Sequence, residues 1–346
     1  LGDRPVVSAQ LEARLPVYTG GRIAAGIRQA EEGALAAGSR LEASGQSILL
    51  DTLTAYVDIL RAREVIAIRE SSIRLLDGQH RAASDRFEVG DVTRTDVALS
   101  LARLEGGRAS LAAAEAQLEA SLARYVLLTG QEADAMLAPV PPLPDLPESF
   151  DAALARALAA NPDIQSARYA EQAARQAIEV ARGALKPEVS VIAQAGVQEY
   201  HTDGFTDTSV TAGAQARIPL FTGGLNTSRL REARLAREQA ASQIALSERL
   251  VRTETARAWY SYRAADTAVA ASERQVEAAE IAYEGAQEEL SVGVRTTLDV
   301  LDQEQQLLEA RLSRANAARD RYVAAHQLLA AMGEMTPQQF GLSVSN

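Results

Sequence analysis

The sequence is written twice at a constant spacing of 203 positions, and nothing else in it constrains the fold as strongly. Arg14-Leu15-Pro16-Val17-Tyr18-Thr19-Gly20-Gly21 returns as Arg217-Ile218-Pro219-Leu220-Phe221-Thr222-Gly223-Gly224. The same spacing carries Tyr56 onto Trp259, Val89-Gly90 onto Val292-Gly293, Asp96-Val97 onto Asp299-Val300 and Gly130 onto Gly333. A period this long exceeds any solenoid unit. It describes two tandem structural repeats, each an elaborate unit. By the same spacing the counterpart of residues 151 to 203 falls before Leu1, so roughly fifty residues of the first repeat are expected upstream.

Proline marks where helices stop. None occurs between Pro16 and Pro139, or between Pro219 and Pro337, whereas five crowd into Pro139 to Pro147. Within each proline-free stretch the sequence is rich in Ala, Leu, Arg and Glu, the composition of long helices. Its interruptions are Val89-Gly90-Asp91-Val92-Thr93 and Val292-Gly293-Val294-Arg295-Thr296, which read as helix, tight turn, helix. The first arm, from Gly21 to Glu88, spans about 100 Å at about 1.5 Å per residue. A helix of that length cannot bury itself in a globule, so it must lie beside others in a coiled coil or helical barrel. Val276, Tyr283 and Leu290, at sevenfold spacing, fit such a seam.

The segments before the long arms have the other period. Val7, Ala9, Leu11, Ala13, Leu15 and Val17 alternate with Ser8, Gln10, Glu12 and Arg14. Val210, Ala212, Ala214, Ala216, Ile218 and Leu220 alternate with Ser209, Thr211, Gly213, Gln215 and Arg217, and Val189 to Gln198 do so less cleanly. Each run is about ten residues, enough for a tilted strand to cross a bilayer. Alternation alone fits either a membrane barrel with a wet lumen or a soluble hairpin with one face on a core. His201 to Asp207 is then the turn joining two strands.

The order of these parts resembles the TolC family of outer-membrane channel-tunnels. The strand ending in Ile218-Pro219-Leu220-Phe221-Thr222-Gly223-Gly224, the very long helix, the tip Val292 to Asp302 and the short return helix carry the likeness, as does Asn161-Pro162-Asp163-Ile164. The resemblance covers essentially the whole chain. It implies a mixed fold of α and transmembrane β: a long α-helical barrel forming a periplasmic tunnel, and an outer-membrane β-barrel built by a trimer. Residues 1–18 would be a first strand, 19–130 a helical hairpin with its tip at 89–95, and 131–150 a Pro-rich equatorial connector. Short helices would follow at 151–186, a β-hairpin at 187–221, a second helical hairpin at 222–332 with its tip at 292–298, and an equatorial tail at 333–346.

The implied activity is passive: an exit duct for type I protein secretion or multidrug efflux in the outer membrane of a Gram-negative bacterium. The implied partners are two further copies, outer-membrane lipid, a periplasmic adaptor, and an ABC or proton-driven inner-membrane transporter. Site residues follow position by position. Asp96 and Arg295 match the family's gate ion pair across the protomer boundary. Asp299 and Asp302, three apart and on one helix face, match its acidic constriction, where carboxylates of several copies would favour cations and provide a site for a divalent ion. Val89, Gly90, Val292, Gly293 and Thr296 match the adaptor-contacting tips. Leu290 stands where the family has a gate tyrosine, which implies a looser gate.

Other classes lack support in the residues. The net charge of −11 argues against nucleic acid. Thr-Gly-Gly is not followed by Gly-Lys-Ser/Thr and reads as a strand-to-helix joint, not a phosphate cradle. His80, His201 and His326 show no metal-ligand spacing, cysteine is absent, and no catalytic set can be assembled. Neither an enzyme nor a cofactor is expected. Tyr56 and Trp259 read as packing residues. A periplasmic adaptor would have one hairpin beside lipoyl-like modules, and a coiled-coil scaffold would not need amphipathic strands.

Overall fold

The computed structural model describes residues 6–133, 140–200 and 205–340. Of the turn expected at His201 to Asp207, His201 to Gly204 lie outside the described residues, as do part of the expected connector including Pro139 and the residues beyond Phe340. The elements in order are β1 (Val6–Tyr18), α1 (Arg22–Glu88), α2 (Arg94–Thr129), α3 (Phe150–Ala160), α4 (Pro162–Gly183), β2 (Glu188–Tyr200), β3 (Phe205–Arg217), α5 (Leu225–Ser291), α6 (Thr297–Met332) and a 3₁₀ turn at Pro337–Phe340. Two units share them: Leu1–Leu41 with Pro162–Arg249, and Glu42–Asn161 with Leu250–Asn346.

The first unit holds an antiparallel sheet in the order β1-β2-β3. Its register aligns the alternation of all three strands. Leu11 faces Ala195, which faces Val210, and Leu15 faces Val191, which faces Ala214. One side of the sheet is therefore a continuous apolar band. The other carries Glu12 beside Gln194 and Thr211, and Arg14 reaches diagonally to donate to the Gln215 side chain at 2.8 Å. Pro16, which has no N–H for the ladder, sits where the register slips between Pro16 and Tyr18. The alternation of the sequence continues to Leu220, but β3 ends at Arg217, because Pro219 cannot donate to a ladder. Leu220 and Phe221 are left exposed.

The strand-to-helix joints use glycine for its positive φ. Gly20 and Gly21 have φ of 65° and 86°, and Gly223 and Gly224 have 59° and 84°. At Gly20 space is closed as well, since a Cβ would meet the Gly183 carbonyl oxygen at 2.7 Å. Alpha-4 is stitched to both long helices by polar bonds. Arg40 donates to Ser166, Arg28 to Gln176, and Arg237 of α5 reaches buried Glu171 at 2.6 Å. Burial pushes the Glu171 carboxyl up, yet the bonds from Arg237 and Arg175 outweigh it and the net direction is down.

The second unit has its core around the C-terminal half of α6, where Val323, Ala325, Leu328, Leu329 and Met332 are all buried. Alpha-3 packs here through Ala153 and Ala157. The last carbonyls of α6 lack helical donors and receive them from elsewhere: Asn161 Nδ2 donates to Ala331 O at 3.1 Å and Gln46 Nε2 to Gly333 O at 3.0 Å. Arg156 forks onto Glu334 beside them. Among the described residues no helix is long and apolar enough to cross a membrane.

Candidate functional site: the hairpin tips and the seam beneath them

Both tips are built from the same two capping devices. Alpha-1 ends in a Schellman arrangement: Gly90 N–H donates to Phe87 O at 3.0 Å and Asp91 N–H to Arg86 O at 2.9 Å. Alpha-5 ends likewise, with Gly293 N–H to Leu290 O at 3.0 Å and Val294 N–H to Glu289 O at 2.9 Å. Gly90 at φ 81° and Gly293 at φ 75° supply the left-handed residue each reversal needs. A Cβ on either would touch nothing within 4 Å, so conformation, not crowding, requires glycine there. The valines beside them stand out into solvent, Val89 at 81% and Val292 at 72% exposure.

The return helices open with matched capping boxes. Thr93 accepts from Asp96 N–H while Asp96 Oδ2 accepts from Thr93 N–H at 2.9 Å and from its hydroxyl at 2.8 Å. Thr296 and Asp299 repeat the arrangement at 2.9 and 2.7 Å. In both carboxyls the threonine backbone N–H, then its hydroxyl, holds the pKa below the ordinary aspartate range.

The predicted charges thus have partners inside one chain. Asp96 and Asp299 cap α2 and α6. Arg295 pairs with Glu289 of its own tip. Asp302 is reached by Arg103 of α2 at 3.0 Å, a link between the two hairpins. No bond joins Asp96 to Arg295 within the chain among the described residues. Leu290 packs on the apolar cluster of Tyr283, Ala286, Val300 and Leu307, so it serves as seam material. His80 bonds Ser100 at 3.0 Å, and His326 is buried against Tyr322 and Phe340, its pKa lowered by that burial. Among the described residues no cluster of three potential metal ligands occurs.

The sevenfold spacing found Val276, Tyr283 and Leu290, which pack in a seam, but missed most of the residues that join the two hairpins. Leu301 of α6 is buried with Leu76 and Leu104 of the first hairpin. Asp58 holds Arg319 at 2.8 Å and Glu64 reaches Arg314 at 3.4 Å. Ser72 donates to buried Glu304. One signal was available: Glu304 sits at core spacing between Leu301 and Leu307.

An amphipathic three-stranded sheet and two long helical hairpins with matched tips can now be set beside known proteins. A model of the outer membrane efflux protein family matches residues 2–131 and 153–334. The chain belongs to that family. It is 34% identical over 321 residues to the outer membrane efflux protein BepC of Brucella suis, covering 92% of this chain and 70% of that protein. To the outer membrane protein TolC of Vibrio cholerae it is 27% identical over 318 residues, covering 89% of this chain and 73% of that one. The crystal structure of the outer membrane protein VceC from Vibrio cholerae superposes with a TM-score of 0.76 at 20% identity, covering 96% and 86% of the two chains. The fold is therefore that of the TolC-like channel-tunnels, and the protein is an outer-membrane exit duct of a Gram-negative bacterium. Members of this family are transport channels, not enzymes, and work in tripartite systems with an adaptor and an inner-membrane pump.

Proposed function

We propose that three copies of this chain close a β-barrel in the outer membrane, with the two hairpins of each copy arising as tandem repeats. The observation that carries this is the sheet: a continuous apolar face on strands of 13 residues, with the outer edges of β1 and β3 unpaired among the described residues. An open edge is not tolerated in lipid, so such a sheet enters a membrane only by closing with further strands. The equal lengths of α1 and α5, 67 residues, and of α2 and α6, 36 residues, support the duplication.

At the tips, Arg295 exchanges between Glu289 of its own chain and Asp96 of the next copy, and the second state holds the gate shut. Exposed pairs of this kind contribute only about 0–1 kcal/mol each, which suits a gate that adaptor contacts must open. Val89, Gly90, Val292, Gly293 and Thr296 present the tips to the adaptor. Asp299, and Asp302 through its balance with Arg103, line an acidic narrowing that favours cations and holds a divalent ion between copies. The driver is an ABC or proton-driven transporter, and the cargo a secreted protein or small toxic molecules.

Planar-bilayer conductance of the full-length protein tests this reading. Small openings that grow in Asp96→Ala/Arg295→Ala are expected. Equal conductance in both removes the gate assignment. A folded protein that is monomeric after detergent extraction, or that passes no current, favours a coiled-coil scaffold or an adaptor.

A further inference from the structure

Glu304 is a carboxylic acid built into a dry seam. It is 3% exposed, and its α6 neighbours one turn away on either side, Leu301 and Leu307, are buried too. Its hydrogen-bond partner is the hydroxyl of Ser72 on α1, 6% exposed, which belongs to the other hairpin. The cavity around them has a volume of about 10 Å³, lined by Ile68, Ser72, Leu75, Glu304, Leu307, Leu308 and Arg311. That is barely room for one water, and a carboxylate needs several to remain charged at low cost.

The other groups facing Glu304 do not replace that hydration. Arg103 of α2 is engaged by Asp302 at 3.0 Å, and Arg311 of α6 by Glu280 of α5 at 2.8 Å. Tyr283 of α5 is buried, and Glu304 contributes to raising its pKa. Burial pushes the Glu304 carboxyl up, against the Ser72 bond and the charges of Arg103 and Arg311, and burial wins. The neutral acid is the form that fits.

We propose that Glu304 is a protonation-controlled latch between the two hairpins, closed when neutral and loosened when ionised, which sets how readily the tips of the duct separate. The proposal rests on the hairpins forming the periplasmic end of that duct. A group whose folded pKa is raised stabilises the seam fully below its unfolded value and loses that contribution as pH rises through the folded one. Acid therefore tightens the seam and alkali loosens it.

The test uses the full-length protein in detergent, with spin labels on cysteines introduced at the exposed positions Glu70 and Gln306. Cysteine is absent from these 346 residues, so none of them competes for the labels. The α1–α6 distance distribution is followed from about pH 4.3, the ordinary glutamate value, to about pH 9. Broadening with rising pH is expected in the wild type, and loss of that transition in Glu304→Gln. In Ser72→Ala the transition moves to higher pH, because a bond favouring the ionised form is gone; this variant carries the test if Glu304→Gln does not fold. A wild-type distance that ignores pH, or a transition that survives in Glu304→Gln, overturns the latch. Conductance is then measured over the same range. A pH-dependent distance with pH-independent conductance overturns the coupling to the gate, whereas absence of any current refutes the duct and leaves the distance result standing.

Discussion

Alpha-2 and α6 have the same length, the same N-terminal capping box and the same left-handed glycine at the end, yet they live in different surroundings. Alpha-6 buries sixteen of its residues, α2 only Ser100, Leu104, Ala114 and Ser121. The difference lies in side chains, since the caps give Thr93 and Thr296 backbone angles within 4° of each other. Helix ends are set locally, by a cap and a glycine; what a helix face is for depends on residues some two hundred positions away. At the positions 203 apart, Glu304 in the seam corresponds to exposed Leu101, and Arg319 to Ala116. Alpha-6 supplies much of the core of its unit, whereas α2 leaves most of its length uncovered within the chain.

That contrast breaks first if core substitutions on α6 prove harmless. Leu328 is fully buried, and Leu328→Ala should cost about 2–5 kcal/mol by lost burial and a cavity. Leu101, 43% exposed, should lose almost nothing as Leu101→Ala in an isolated chain, and more only where another copy covers it. Denaturant titration of both, with and without assembly, separates the two roles. Next in size is the charged seam. Arg319→Ala strands Asp58, whose side chain is only 20% exposed, and should cost roughly 1–3 kcal/mol. Arg103→Ala, from a more exposed pair, should cost about 0–1 kcal/mol. Equal losses would mean that α6 is not the more deeply tied helix.

A smaller effect concerns the tips, and its readout is current. Glu289 and Asp96 compete for Arg295 in the gate proposed above. Glu289→Gln removes one competitor, so the closed state gains by about 1 kcal/mol at most, roughly fivefold in the ratio of closed to open. Single-channel open probability should fall. A rise would show that Glu289 holds the gate shut and that Asp96 is only a helix cap.

The turns were legible from Gly90 and Gly293 because a reversal needs positive φ, which glycine alone adopts at little cost. Strand faces were legible from alternation, and the register keeps Leu11, Ala195 and Val210 on one side. Most of the seam was not. Asp302, Glu304 and Glu309 look like an ordinary solvated run, and only the fold reveals that the middle one faces Ser72. Asp96 was singled out for a gate and Asp299 for an acidic constriction by likeness alone, and their capping role escaped notice although Thr-x-x-Asp precedes an apolar run at both sites. A cap and a gate are not exclusive, for Thr93 engages Asp96 through Oδ2 in both of its bonds.

The caps also oppose the latch in their response to pH. Asp96 and Asp299 are held below the ordinary aspartate range, so their contribution is present above about pH 3.9 and is lost as pH falls through the lowered value. Acid therefore frays the start of α2 and α6 in a window below the one in which alkali loosens Glu304. Since the two boxes share one geometry, hydrogen exchange in residues 94–97 and 297–300 should accelerate together on acidification. Asp96→Asn and Asp299→Asn should each raise exchange at neutral pH and flatten the acid response of their own tip only. A response confined to one tip would mean that the hairpins differ at their ends as well as along their faces, and the likeness of the two caps would then be geometric without being energetic.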